Sequence, residues 1–469
     1  MNRYRQLAEL FKTQIQQNTW RAGEKLPSVR VTSRNHSVSA GTVLQAYQLL
    51  EAQGWVAAKP QSGYFVTAEL DRLEPSPPAT SVYRSNINDE LYDYLKNQAS
   101  PDAMKFGSAF PDPALFPLDA LNRNLASSGR KMGPETLLDN LPPGSESLRR
   151  LIAQRYIQQG MVLTHDDIVI TSGALEALNL SLQAVTQPGD TIVVESPTFY
   201  GALQAIERLG LKAIEISVDP RIGHSLQQIE AAFTGHDVRA CWLMTNFHNP
   251  TGTSLNDEQK QRIVELADKH DVYLIEDDVY SELFFSKELF FSNKKPSSLK
   301  TFDTQDRVLH CGSFSKSLCP GYRLGWVVNK RFNEHLQKLQ LISTLSGSAP
   351  VQQGITHYLQ NDSYDNHLRK LRKNLEQRQS TFIELIDKYF PKSIHYTQPE
   401  GGYFLWVELP ESKCGKSIYR KLLEDNITVA FGKLFSVGTD YENYLRLNTS
   451  LPCNDELEEA VKKIGELLH

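Results

Sequence analysis

The chain has 469 residues, 40% of them hydrophobic and 22% charged, which excludes wholesale disorder and leaves room for about three domains. No apolar run approaches the ~18 residues of a membrane span, and five scattered cysteines without a CxxC pair argue for a reducing cytoplasm, with neither disulfide scaffold nor metal site. The net charge of −5 hides an asymmetry: residues 1–66 carry eight Lys/Arg and three Glu, so a basic head, suited to a polyanion, precedes an acidic body.

The opening MNRYRQLAEL is too polar for a signal core and starts a helix, with Tyr4, Leu7, Ala8, Phe11 and Ile15 forming an apolar stripe. Ala22-Gly23-Glu24 breaks it, and Pro27 opens a second helix with Ser28 and Arg30 in its first turn. A third helix follows the N-cap Ser39 and ends before Gly54; Val43, Ala46, Tyr47 and Leu50 face inward, Gly41, Thr42, Gln45 and Gln48 outward. Two short strands, Trp55–Ala58 and Tyr64–Val66, flank the turn Lys59-Pro60-Gln61-Ser62-Gly63. Three helices and a hairpin in under ~70 residues make a winged helix-turn-helix. The outward Ser/Thr/Gln face suits base edges in a major groove, and Lys59 and Gly63 in the wing suit phosphates.

From Ala68 to about Pro101 the pattern fades into a semi-extended linker around Pro75, Pro77 and Pro78, with a short helix expected over Asp89–Gln98. Strand and helix signals then alternate. Strands are expected at Ile168–Thr171, Thr191–Glu195, Ala213–Ser217, Ala240–Thr245, Tyr273–Glu276, Val308–Gly312 and Leu324–Val328, with helices such as Leu175–Val185 and Asp257–His270 between them. Nearly continuous apolar strands with helical crossovers imply an α/β fold, a mostly parallel sheet covered on both faces. One long helical pattern, Gln352–Tyr389, and a βαβ-like tail, His395–His469, make a smaller C-terminal subdomain.

Several strings in the body suit a phosphorylated pyridine cofactor. GSFSKSLCPGYRLGW (Gly312–Trp326) sets Lys316 between two serines, with Arg323 seven residues on, a grouping that suits a phosphate dianion. IEDDVY (Ile275–Tyr280) puts two acids at a strand's carboxyl end, where α/β sheets build sites. NPTG (Asn249–Gly252) follows another strand, TSGALEAL (Thr171–Leu178) is a strand-to-helix turn with free N–H groups, and PTFYG (Pro197–Gly201) offers an aromatic ring. Singly these read as turns, caps and core. Together they point to pyridoxal 5'-phosphate, whose chemistry needs a lysine to bond it and an acid to keep its ring nitrogen protonated.

LPSVR (Leu26–Arg30), VSAGTVLQAYQLLEAQGW (Val38–Trp55) and SGYFV (Ser62–Val66) closely resemble the GntR family of DNA-binding domains. The resemblance implies Arg30, Ser39, Thr42 and Gly63 as DNA contacts, joined by Gln45 and Lys59 from the outward face and wing. Ala40 and Leu44 stand where many relatives carry Arg, so a weaker or different base readout is expected. From about residue 104 onward the ordered motifs resemble a class I, fold-type I aminotransferase. That implies Lys316 as the cofactor's lysine and proton shuttle. It implies Asp277, rather than Asp278, on the pyridine nitrogen, Tyr280 and Asn249 on the phenolic oxygen, and Phe199 stacked on the ring. Gly173, Ala174, Ser313, Ser315 and Arg323 would hold the phosphate and Arg446, in YLRLNTS, a substrate α-carboxylate. Leu175 replaces a residue that is often polar, and Asn140-Leu141 a Tyr that often reaches the partner subunit.

Head plus body resemble the MocR subfamily of bacterial regulators over the whole chain. The expected division is a DNA-binding domain at 1–68, a linker at 69–101 and a pyridoxal-phosphate domain at 102–469, its large part about 145–345 and its small part about 346–469. The expected function is a dimeric transcriptional regulator that binds promoter DNA and senses the cofactor or an amino compound. The alternative is a working aminotransferase with an accessory head.

Overall fold

The computed structural model describes residues 3–16, 19, 20, 23–52, 55–59, 63–67, 80, 81, 87–98, 100, 102–134, 140–219, 223–285, 295–436 and 440–469. The turn Pro60-Gln61-Ser62 and most of the expected linker lie outside these. The chain forms two compact units, Met1–Ser76 and Pro77–His469.

In the first unit the apolar stripe makes the helix Arg3–Gln16, which packs on the helix Ala40–Ala52. Leu7, Ala8, Phe11, Ile15, Val43, Ala46, Tyr47 and Leu50 form one core with Leu26, Val56 and Val66. A fully buried aliphatic among them stabilises the fold by about 1.5–3 kcal/mol. Between these helices lies Val29–Asn35, shorter than expected: Ser28 is its N-cap, accepting from the Val31 N–H at 3.4 Å, so Pro27 and Ser28 stand before the first turn. Tyr47 ties the helices together, its hydroxyl 2.7 Å from Thr32 Oγ1 and donating to the Pro27 carbonyl at 2.8 Å. Ser39 Oγ caps the third helix by accepting from the Thr42 N–H at 3.1 Å. Val56–Lys59 and Gly63–Val66 pair antiparallel as the wing.

The second unit is built on a nine-stranded sheet. Across its centre run Lys212–Asp219, Thr191–Ser196, Val238–Leu243, Tyr273–Asp277 and Val308–Ser313, all parallel, then Gly325–Val328, antiparallel to both neighbours, and Ile168–Thr171. The strands alternate between two cores, as a period of two requires. Ile192, Val194, Trp242, Ile275 and Leu309 meet the helices Ala174–Val185 and Tyr200–Leu209 on one face; Val193, Cys241, Leu243 and Leu274 meet Leu226–Gly235 and Asp257–His270 on the other. Asp277 therefore shares the face of Ile275 and of the helix that begins at Ala174.

Two expectations in the smaller part need correction. The pattern Gln352–Tyr389 is two helices, Ala349–Asn361 and Tyr364–Tyr389, because Asp362-Ser363 interrupts it and Ser363 caps the second by accepting from the Asn366 N–H. The tail is not βαβ-like: four of its five described strands pair antiparallel, in the order His395–Tyr396, Phe404–Glu408, Tyr444–Asn448, Ala430–Phe431, and the fifth, Ile427–Thr428, pairs parallel with Met104–Lys105. The helix Ile87–Gln98 joins this part, burying Leu91 and Tyr94 against Phe106, Trp406 and Phe431. Among the described residues, no helix is long and apolar enough to cross a membrane.

Candidate functional site

The carboxyl ends of the central strands bring together residues from every body motif. Lys316 follows the strand Val308–Ser313, and its ammonium donates to the Ala109 carbonyl at 2.6 Å, 3.9 Å from the Phe110 ring centre and 5.8 Å from that of Tyr280. Desolvation, then the Arg446 and Arg323 guanidinium groups, pull its pKa down to about 7 against the opposing pull of Asp277. Asp277 is 3% exposed, and its Oδ1 has no hydrogen-bond partner among the described residues. Burial, helped by Glu195 and Asp278, pushes its carboxyl up to about 7, against Lys316 and the Val279 N–H. Asp278, by contrast, is fully engaged: Oδ1 accepts from Asn246 at 2.8 Å and Oδ2 from the Ser281 hydroxyl at 2.6 Å. Strand parity and free valence both separate the two acids in favour of Asp277.

Arg446, on the strand Tyr444–Asn448, is fully buried. Nη1 donates to Asn249 Oδ1 at 2.8 Å, Nη2 to the Gly107 carbonyl at 2.5 Å, and Nε has no partner among the described residues. Phe404 and Phe435 lie against the guanidinium, 4.3 and 5.0 Å from its carbon. Because the Asn249 carbonyl oxygen is taken by Arg446, its NH2 is the group left to meet an acceptor. Tyr280 is buried beside Tyr403, ring centres 5.7 Å apart.

At the other end of the site Gly173 caps the helix Ala174–Val185 with φ +97°, a conformation that favours glycine. A Cβ there would stand 2.7 Å from Arg323 Nη2, so the missing side chain is what lets the guanidinium lie over the helix N-terminus. Ser313 Oγ accepts from the Ser315 N–H at 3.3 Å, while Ser315 Oγ is buried without a partner among the described residues. Free N–H groups, two hydroxyls and an exposed guanidinium form a cup for a dianion. Phe199 packs in one apolar cluster with Tyr280 and Ala174, and Gly201 leaves room for its ring: a Cβ there would come within 2.8 Å of Phe199 Cζ.

Pyridoxal 5'-phosphate fits these residues. The orphaned Asp277 oxygen suits a protonated ring nitrogen, the orphaned Ser315 hydroxyl and Arg323 suit the phosphate, and Lys316 is poised near neutrality. Sequence reasoning missed the main-chain acceptors Gly107 and Ala109, Tyr94, which donates to Gly107 at 2.5 Å, and Tyr403, which donates to Ala109 at 2.9 Å. The Gly401-Gly402-Tyr403 string was the only local signal. Also missed was a buried cluster in which Glu195 bonds His224 and lies 3.3 Å from His248. Burial would raise the Glu195 carboxyl, but the two imidazoles win and hold it at about 2.

In the head, Arg30, Ser39, Gln45, Lys59 and Gly63 are exposed and Thr42 is half-buried, all on one small unit. Gly63 has φ +105°, and Lys25, which sequence reasoning passed over, bridges to Phe65 beside it.

Comparison with known proteins agrees with both units. Residues 124–464 match the family "Aminotransferase class I and II", and residues 3–66 match "Bacterial regulatory proteins, gntR family". The HTH-type transcriptional regulator YdcR of Escherichia coli, described as uncharacterized, is 45% identical over 100% of this chain and 99% of its own length. A second E. coli HTH-type regulator, YjiR, described likewise, is 36% identical over 100% of this chain and 99% of its own. The kynurenine aminotransferase of Pyrococcus horikoshii, solved with PMP, is similar in structure with a TM-score of 0.74 and 27% identity, over 82% of this chain and 95% of that one. With an aminotransferase class I and II body behind a gntR family head, the chain belongs to the MocR subfamily of HTH-type transcriptional regulators.

Proposed function

We propose that this chain is a DNA-binding transcriptional regulator that acts in the cytoplasm as a homodimer. Its body binds pyridoxal 5'-phosphate and senses that cofactor or an amino compound reacting with it. The domain limits we assign are 1–68 for DNA binding, 69–101 for the connection and 102–469 for the cofactor. The observation that carries the reading is that one chain holds both an exposed polar reading helix flanked by cations and a half-buried Lys316 beside buried Asp277 and Arg446, whose Oδ1 and Nε have no partner among the described residues. Leu175, Leu341, Ile342 and Leu345 are exposed apolar side chains on two packed helices and the turn after them, beside the Gly173 turn. They support a second copy of the chain as the occupant of that face.

The cofactor, when bound, supplies an electron sink for the bonds at an amino compound's α-carbon. The chain's own residues do the rest. Lys316, half-deprotonated near pH 7, is both nucleophile and proton carrier, and Asp277 holds a ring N–H. Tyr280 and the Asn249 NH2 offer donors to the phenolic oxygen, Gly173, Ala174, Ser313, Ser315 and Arg323 hold the phosphate, and Phe199 covers the ring. Arg446 offers a fork to an α-carboxylate. Regulation requires only that a ligand favour one arrangement of the body, so turnover is not needed.

The test is a mobility-shift assay of the purified full-length chain on its own upstream DNA, with absorption spectra, across an amino-acid panel. The expected result is a visible band near ~420 nm, with binding that falls by orders of magnitude between ~50 and ~200 mM salt and changes with at least one amino compound. A colourless protein with salt-independent or absent DNA binding would refute the reading.

A further inference from the structure

The helix Ala40–Ala52 contains no lysine or arginine. Its single charge, Glu51, sits near the far end and accepts from the Ala58 N–H at 2.8 Å. Val43, Ala46, Tyr47 and Leu50 face the core, which turns Ala40, Gly41, Leu44, Gln45 and Gln48 to solvent. Leu44 is 41% exposed in this face. Ser39 and Thr42 are occupied with one another, their hydroxyl oxygens 2.8 Å apart at the cap. The cations lie on other elements: Arg30 and Arg34 on the preceding helix, Lys25 and Lys59 around Phe65 at 5.9 and 4.6 Å from its ring centre. The head thus separates phosphate attraction from the face that enters a groove.

That separation restricts what the helix can read. The guanine edge, with its O6 and N7 acceptors, is read by bidentate Arg or Lys, and this face has neither. A glutamine amide matches the adenine N6 and N7, and an aliphatic side chain finds only one apolar group in the major groove, the thymine C5-methyl. A single exposed leucine is ordinary on a protein surface. This one stands in the middle of an uncharged face framed by cations on two sides, beside Gly41, whose surroundings leave room for close approach. We infer that Leu44 is a specificity-determining residue that reads a thymine methyl, with Gln45 on an adjacent adenine, so that the helix selects A·T pairs.

The inference rests on the proposed DNA-binding role, and the experiment separates the two. Duplexes are selected from a random library with the full-length, cofactor-loaded chain, then resynthesised with deoxyuridine for thymidine, which removes only the methyl groups. Wild type should select A·T pairs under the helix and lose about fourfold in affinity per contacted thymine, the worth of one buried methyl group. Leu44→Ala should bind the thymine duplex about fourfold more weakly and show no thymine-to-uracil difference, and Leu44→Arg should shift selection toward guanine. Equal binding of thymine and uracil duplexes by wild type, or an unchanged difference in Leu44→Ala, overturns the inference and leaves DNA binding standing. Failure to select any duplex overturns both, and self-association lost in Leu44→Ala would then mark the face as a protein contact.

Discussion

The two units place their functional side chains in opposite physical settings. In the head, every side chain expected to meet DNA is exposed or half-buried, while stability comes from a separate core of eleven buried apolar residues. In the body, three of the groups that would meet a ligand are themselves buried and have an atom without a partner among the described residues: Asp277 Oδ1, Ser315 Oγ and Arg446 Nε. Function in the head is therefore nearly independent of folding. In the body it is purchased with stability, because a buried polar atom without a partner costs about 1–3 kcal/mol.

Three substitutions sharpen that contrast. The largest effect is expected for Lys316→Ala, which removes the nucleophile outright. The visible absorption and any borohydride-trapped cofactor should vanish while the protein still binds DNA; a retained, reducible band would mean another lysine holds the cofactor.

Asp277→Asn should come next, with opposite signs in the two ligation states. The Asp277 carboxyl sits at about 7 when folded and near ~3.9 when unfolded. The native state thus keeps a proton that the unfolded chain has lost. The resulting penalty is absent below about pH 4, grows as pH rises, and is complete above about 7, on the order of 4 kcal/mol. Part returns because the Asn amide also lacks a partner, leaving a net gain of about 1–3 kcal/mol. Calorimetry should find cofactor-free Asp277→Asn melting above wild type at pH 8 and below it at pH 4, where only the cost of the Asn amide remains, yet releasing cofactor faster. Equal melting at pH 8 would show that the carboxylate finds a partner in solution.

Arg30→Ala should have the smallest effect, and only on function. Binding should weaken uniformly across sequences, the salt slope should fall by about 1, and stability should stay within ~0.5 kcal/mol. A sequence-dependent loss would place Arg30 on a base.

Much of this was legible in the residues. The central strands were, because runs such as Ile168–Thr171 and Gly325–Val328 are buried on both faces and so nearly uniformly apolar. Motif residues that follow such strands inherit their positions, which is why Lys316, Asp277 and Gly173 could be placed in advance. What stayed hidden depends on distant chain segments meeting. Gly107 reaches Arg446 across 339 positions, and Ala109 reaches Lys316 across 207. Main-chain carbonyls leave no mark on a sequence. His224, in the short strand Gly223–His224, meets Glu195 only because that strand folds back on Lys212–Asp219. The antiparallel tail was misread because alternating strand and helix signals do not report strand direction.

The Gly107 carbonyl has a consequence for how a ligand arrives. It already accepts from Arg446 Nη2 and from the Tyr94 hydroxyl. With Nε the unpartnered nitrogen of the guanidinium, the second arm of any fork must come from a nitrogen that now donates to Gly107 or Asn249. A guanidinium carries five N–H groups, so a fork built from Nε and the second N–H of one of these nitrogens leaves the bonds to Gly107 and Asn249 in place and adds a charged acceptor to them. Gly107 has no slack to yield alone: a Cβ there would stand 2.8 Å from the Tyr94 oxygen and 3.0 Å from the Val429 backbone. Gly107 thus ties Arg446 to Tyr94, the residue through which the helix Ile87–Gln98 is seated on the body, in one chain of hydrogen bonds.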